Sequence, residues 1–169
     1  MQPGFALLAA GYLLLRDDPG RFLRAGRPSR EGMAWIALGA PMSLGTGWLG
    51  ETFLGTSHGG PVLWEVLLSD PVTIPAVAGV TFLVMAPMEE LLYRGVIHGR
   101  LRQAFGALSV VLLGATLFGI MHVFMGGGLR SFPTTAIAGL ALGAAYERTD
   151  NLAVPSAMHA TAWIASMPL

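Results

Sequence analysis

The stretch PVTIPAVAGVTFLVMAPM, residues 71–88, contains no charged side chain, and two carboxylates, Glu89 and Glu90, follow it directly. A helix of this length rises ~27 Å, close to the ~30 Å hydrocarbon core of a bilayer, so the stretch predicts a membrane span. Apolar residues continue at helical spacing beyond the carboxylates: Leu91, Leu92, Val96, Ile97 and Leu101. We therefore expect one helix to extend through about residue 101 and to hold both glutamates and Arg94 below the membrane surface.

The rest of the chain repeats this pattern of apolar runs and charged clusters. With 53% hydrophobic and only 12% charged residues, the composition excludes an ordinary soluble domain. The fold class predicted is all-α, a polytopic transmembrane helical bundle of about six spans in a single domain, residues 1–169. Residues 1–70 would supply the N-terminal spans, and residues 71–169 the motif-bearing catalytic core. The other five runs are residues 1–15, 32–50, 103–129, 131–146 and 151–169.

The arginines predict how these spans are oriented. All ten basic residues are arginine and the formal net charge is zero, which gives no overall basic field for binding nucleic acid. Nine of the ten lie in or beside alternate loops, which the positive-inside rule places in the cytoplasm. Only Arg130 departs from the pattern. We expect a multi-pass protein of the cell membrane whose active site opens on the cytoplasmic side. The nine are Arg16, Arg21, Arg24, Arg27, Arg30, Arg94, Arg100, Arg102 and Arg148.

The charged residues after Pro87 are the first candidate site. On a helix Glu90 and Arg94 are four residues apart and can pair, whereas Glu89 is turned by about 100° and shares its face with Tyr93. This predicts that Arg94 keeps Glu90 ionised, while Glu89 is tuned by desolvation towards a general base. The alternative is a helix end at the membrane interface that carries a surface ion pair. Pro87 predicts a kink or loosening of the helix just before the glutamates.

Two histidines inside apolar runs complete the constellation. His122 lies four residues after Phe118, and His159 lies in the last run. Either one alone could simply bond a neighbouring helix, but a carboxylate, two imidazoles and a paired arginine suffice to activate water and stabilise an oxyanion. His98, near a helix end, and His58, in a loop, are weaker candidates. The absence of cysteine excludes a thiol nucleophile.

In order and spacing these residues resemble the CPBP family of CAAX prenyl endopeptidases, bacteriocin-processing enzymes and abortive-infection-like proteins. The family's Glu-Glu-x-x-x-Arg motif is similar to Glu89, Glu90 and Arg94, its Phe-x-x-x-His motif to Phe118 and His122, and its last histidine to His159. The resemblance implies an intramembrane endopeptidase in which Glu89 and His122 activate water, His159 stabilises the oxyanion, and Glu90 and Arg94 position the helix. Its substrate would be a membrane-associated CAAX-like or leader peptide.

Two questions stay open at this point. The family's last motif often reads His-x-x-x-Asn, and Trp163 stands in the place of the asparagine, either as a packing anchor or as an indole N–H donor. The family has also been described as metalloproteases, in which His122, His159 and a glutamate would hold a metal such as zinc. Because no His-Glu-x-x-His pattern is present, the sequence slightly favours metal-independent water activation. The alternative functions are a catalytically inactive membrane scaffold or immunity protein and a proton-coupled carrier.

Overall fold

The structure, a computed structural model, describes residues 24–56 and 72–165 together with positions 4, 11, 12 and 15. Two sequence predictions, the span over residues 1–15 and the loop histidine His58, therefore lie outside the described residues or almost entirely so. Every secondary structure element in the described part is a helix, which confirms the all-α prediction.

Five helices follow one another along the described chain. Helix α1, residues 30–54, comprises Arg30–Ala37, Gly39–Leu49 and a π-helical turn, Gly50–Leu54. Helix α2, residues 73–101, comprises Thr73–Val80, Thr81–Met85, Ala86–Glu90, Leu91–His98 and Gly99–Leu101. Helix α3 is Ala107–His122, extended by the π-helical segment Val123–Gly127. A 3-10 turn, Leu129–Ser131, precedes helix α4, Phe132–Thr149, and helix α5 is Ala153–Ala165.

Two of these helices are long and apolar enough to cross a bilayer. They are Pro75–Leu101 and Ala107–Gly127, so the predicted count of six spans is not confirmed. The extension of the motif helix through residue 101 is confirmed. Large apolar side chains point outward from both helices, among them Leu83 at 77% and Leu108 at 73% exposure. Such exposed apolar faces suit lipid tails rather than water.

Helix α2 contains a π-helical segment on each side of the turn that carries the glutamates. Pro87 cannot donate a backbone hydrogen bond, and the turn before it, Thr81–Met85, is π-helical. The glutamates end the single α-helical turn Ala86–Glu90, and a second π-helical segment, Leu91–His98, follows it. The loosening predicted ahead of the glutamates is therefore present, while the widening after them is not apparent from the sequence.

Small residues bring α3 and α4 into close contact. A Cβ atom on Gly139 would lie 2.9 Å from the Cα of Ala115, and one on Gly143 would lie 3.4 Å from a methyl carbon of Val111. The Gly-x-x-x-Gly pattern in α4 thus acts as the packing surface that its spacing predicts. Helix α5 in turn contacts α1, α2 and α4. The shared core of these helices contains Tyr93, Phe118, Leu142, Ala145, Val154 and Met158.

The arginines of the loops gather at one end of the bundle. Arg24 pairs with Asp150 there, Arg148 Nε lies 3.0 Å from Glu31 Oε1, and Arg102 Nε lies 2.6 Å from Glu147 Oε1. We call this the arginine end. The opposite end is formed by residues 50–56 and by residues 123–131, where Gly126 and Gly128 have positive φ angles.

Arg94 does not belong to the arginine end. Its side chain is 3% exposed and lies inside the bundle, so the sequence analysis was wrong to group it with the loop arginines.

Candidate active site

A buried ion pair lies at the centre of the bundle. Arg94 Nη1 donates to Glu90 Oε1 at 2.9 Å and lies 2.8 Å from Glu90 Oε2, and the Glu90 side chain has no exposed surface. Arg94 Nη2 donates to the carbonyl of Gly139 at 3.0 Å, and the guanidinium carbon lies 4.9 Å from the centre of the Phe118 ring. The pair predicted from the i, i+4 spacing is therefore present, and it is buried rather than interfacial. Contacts to α3 and α4 fix the guanidinium in place.

His159 joins this ion pair from helix α5. Its Nδ1 lies 2.8 Å from Glu90 Oε1, and its Nε2 lies 3.9 Å from Glu89 Oε2. An ionised carboxylate only accepts hydrogen bonds, so Nδ1–H donates to Glu90 and Nε2 is directed towards Glu89. Glu90 thus contacts both Arg94 and His159, and the sequence analysis missed the second contact because Glu90 and His159 are 69 positions apart.

His122 is oriented in a similar way by its own helix. Its Nδ1 lies 2.8 Å from the carbonyl oxygen of Phe118, which can only accept, so Nδ1 carries a proton, and in the neutral ring Nε2 has the lone pair. The aromatic ring of Phe118 lies between the two histidines, with its centre 4.4 Å from that of His122 and 5.6 Å from that of His159. The two residues of the Phe-x-x-x-His pattern therefore form one unit: the phenylalanine holds the histidine through both its backbone and its ring.

Glu89, His122 and His159 line a single cavity of about 230 Å³. Trp163 lines it as well, so the residue that stands in place of the asparagine lies at the site itself. The structure brings together the five residues selected from the sequence: three at the cavity, and Glu90 and Arg94 behind His159. Further polar lining comes from hydroxyl groups at the start of α4, Ser131 and Thr135, which the sequence analysis missed. The sequence offered one indication that these hydroxyl groups belong to the site: they follow the glycine-rich turn at residues 126–128.

A metal ion at this site would need several nitrogen or oxygen ligands from the surrounding side chains. In residues 24–56 and 72–165, no group of three or more His, Cys, Asp or Glu side chains is arranged to hold one. Glu90 is already engaged by Arg94 and His159, which leaves Glu89 and the Nε2 atoms of the two histidines facing the cavity. A carboxylate and an imidazole that face one cavity can hold a water molecule between them.

His98 lies in a different part of the bundle. It is buried at the arginine end, against the Tyr146 ring at 5.2 Å between centres and 3.7 Å from Glu147 Oε1. The sequence analysis gave it low weight because a helix end is usually exposed, and that reason was wrong. It lines a cavity of about 330 Å³ that shares no residue with the one lined by Glu89.

The site lies deep in the bundle, and its cavity extends away from the arginine end. His122 comes 15 residues after Ala107 but only five before Gly127, where α3 finishes at the opposite end. Gly127 and Ser131 line the cavity, and no residue of the arginine end does so. If the arginine end is cytoplasmic, the predicted opening on the cytoplasmic side does not agree with this geometry.

A protein-family model matches the chain. The family model described as type II CAAX prenyl endopeptidase Rce1-like matches residues 71–164, which is more than half of the chain. It covers α2 to α5 and all five candidate residues. No curated protein and no solved structure matches the chain.

Proposed function

Because the chain belongs to the Rce1-like family of type II CAAX prenyl endopeptidases, a family of membrane proteases, we propose that it is a multi-pass intramembrane endopeptidase. Its substrate is a membrane-associated peptide, either CAAX-like or a leader sequence. The observation that carries the proposal is the convergence of Glu89, His122 and His159 on one cavity. A family match alone does not say which side chains act.

In the proposed reaction, Glu89 and His122 Nε2 bind a water molecule. As the water oxygen attacks the scissile carbonyl carbon, Glu89 accepts its proton and a tetrahedral oxyanion forms. His159, protonated at both ring nitrogens, donates Nε2–H to the oxyanion. Collapse of the intermediate breaks the carbon–nitrogen bond, and Glu89 returns its proton to the leaving amine.

Glu90 and Arg94 act through His159 in this scheme. Glu90 accepts from His159 Nδ1–H at 2.8 Å, which fixes the orientation of the ring and favours its positive charge. Arg94 neutralises Glu90 and ties it to the carbonyl of Gly139. Both are therefore positioning residues.

The test is to purify the full chain and to measure cleavage of a library of membrane-associated peptides. Removing a general base typically lowers the rate by ~10²- to 10⁴-fold, which we expect for Glu89→Gln. The matched control is Glu31→Gln, since Glu31 is a half-exposed partner of Arg148 at the arginine end. The proposal fails if Glu89→Gln is folded and cleaves like the parent. Peptide binding without cleavage by the parent would favour the scaffold, and proton flux coupled to a solute would favour the carrier.

A further inference from the structure

Trp163 is the largest side chain that lines the catalytic cavity, and the proposed reaction does not use it. Every residue that lines this cavity belongs to the described part of the chain. Trp163 is 37% exposed, whereas Met158 of the same helix is 1% exposed and belongs to the shared core. The indole therefore has its place at the cavity and not in the core.

The position of Trp163 on α5 sets it next to the reacting groups. His159 and Trp163 are four residues apart in the helix Ala153–Ala165, so they share one face. On that face His159 Nε2 is directed towards Glu89, with 3.9 Å between Nε2 and Oε2. Side chains on a helix lean towards its N-terminus, which brings the indole back towards the imidazole. Trp163 thus borders the space in which the scissile bond has to lie.

The separation along the helix determines which part of a substrate meets the indole. Four helical residues rise ~6 Å, and an extended peptide advances ~3.4 Å per residue. With the scissile carbonyl beside His159 Nε2, a side chain one or two residues away lies at the level of Trp163. Because the peptide passes the indole in one direction, this applies to only one side of the scissile bond.

The other lining residues are small or adaptable. Gly127 has no side chain, and Ser131 and Thr135 have short ones. Met125 lines the cavity too, but an unbranched thioether side chain can move aside for a ligand. An indole is rigid and has only two side-chain torsions, so it yields much less. Trp163 is therefore the group that limits the size of a substrate side chain at this point.

We propose that Trp163 determines the specificity of this site by limiting the size of the substrate side chain one or two residues from the scissile bond, on one side of it. The preferred substrate is a membrane-associated peptide with a small residue at that position, such as glycine, alanine or serine, rather than an aromatic one. This rests on the proposed proteolytic function. Trp163 contacts the substrate in this scheme but transfers no proton.

The test uses lipid-anchored peptides in which phenylalanine replaces alanine at one position at a time around the cleaved bond, which mass spectrometry of the products identifies. The variants are Trp163→Ala and Trp163→Phe in the full chain. The matched control is Trp48→Ala, since Trp48 is 61% exposed, packs against Phe53 and does not line the cavity. The quantity measured is the ratio of kcat/KM for the phenylalanine and alanine peptides. Both peptides meet the same folded molecules, so a partial loss of folding leaves this ratio unchanged.

We expect Trp163→Ala to raise the ratio about 10-fold or more at one position, because even one methylene changes selectivity in an apolar pocket by ~10-fold. Positions on the other side of the bond should not respond, Trp163→Phe should fall between parent and Trp163→Ala, and Trp48→Ala should match the parent. An unchanged ratio in Trp163→Ala would overturn the inference. An equal fall in kcat for every peptide with Trp163→Phe would also overturn it, since this would assign the indole N–H to the oxyanion instead.

Binding separates this inference from the proteolytic function. The Kd of the same peptides is measured with Glu89→Gln alone and with Glu89→Gln, Trp163→Ala. We expect the second substitution to strengthen binding of the phenylalanine peptide about 10-fold relative to the alanine peptide. If the parent cleaves nothing while this shift is present, only the proteolytic function fails. If the parent cleaves but neither ratio shifts, only the role of Trp163 fails, and absence of binding by both variants overturns it as well.

Discussion

Replacing Glu90 with glutamine should destabilise the protein, because it breaks a buried ion pair. The substitution keeps the size of the side chain but removes the negative charge opposite Arg94, whose side chain is 3% exposed. Breaking a buried ion pair by removing one partner costs ~3 to 5 kcal/mol, because the other charge stays buried. Arg94 keeps its bond to the carbonyl of Gly139 and its contacts with the Phe118 and Tyr93 rings, none of which supplies a full negative charge.

The magnitude can be measured as thermal unfolding in detergent. At ~2 to 4 °C per kcal/mol for a chain of this size, Glu90→Gln should lower Tm by roughly 6 to 20 °C. The matched control is Glu31→Gln, which breaks a half-exposed ion pair with Arg148 and should cost less than ~1 kcal/mol. The double variant Glu90→Gln, Arg94→Met removes both charges and should regain most of the lost stability.

The same variants test the positioning of His159. Because the amide of glutamine can still accept from His159 Nδ1–H, Glu90→Gln at a temperature where it is folded should retain more activity than Glu89→Gln. An unchanged Tm for Glu90→Gln would refute the reasoning on the buried pair. A double variant no more stable than Glu90→Gln would show that the charge left on Arg94 is not the cause.

Three further outcomes are expected. Gly139→Ala should lower Tm because its Cβ would lie 2.9 Å from the backbone of Ala115, whereas Gly114→Ala, which meets no atom within 4 Å, should melt like the parent or higher. His122→Ala should still fold and should lower cleavage by ~10²-fold or more, because the attacking water loses one of the two groups that hold it; a folded variant that cleaves like the parent would contradict this. Dialysis against a zinc chelator should leave the cleavage rate of the parent unchanged, and activity that disappears and returns with added zinc would contradict water activation by Glu89 without a metal.

The local part of the site could be predicted from the sequence. The apolar spacing after Glu90 is short-range information, and it correctly extended the helix beyond the glutamates. The i, i+4 spacing of Glu90 and Arg94 likewise predicted the ion pair that the structure contains. The Gly-x-x-x-Gly spacing of Gly139 and Gly143 is local information of the same kind, and it coincides with the close contact between α3 and α4.

The contacts between helices could not be predicted in this way. The bond between His159 and Glu90 depends on how α5 packs against α2, and no spacing within one helix contains that information. For the same reason His98 was taken as exposed, although α4 covers it with Tyr146 and Glu147. The direction in which the cavity extends was also missed, since it depends on which ends of α1, α3 and α4 leave space between them.

The short sequence separation between Glu90 and Arg94 matters during synthesis and membrane insertion. A lone carboxylate or guanidinium entering the bilayer is costly, and translation supplies ~5 to 20 residues each second. His159 follows Glu90 by 69 residues, so it emerges from the ribosome roughly 3 to 14 seconds later. During that interval Glu90 and Arg94, only four positions apart, can already neutralise each other within one helix. The pair can therefore enter the bilayer as a nearly neutral unit, and the arrival of α5 later adds the contact between Glu90 and His159.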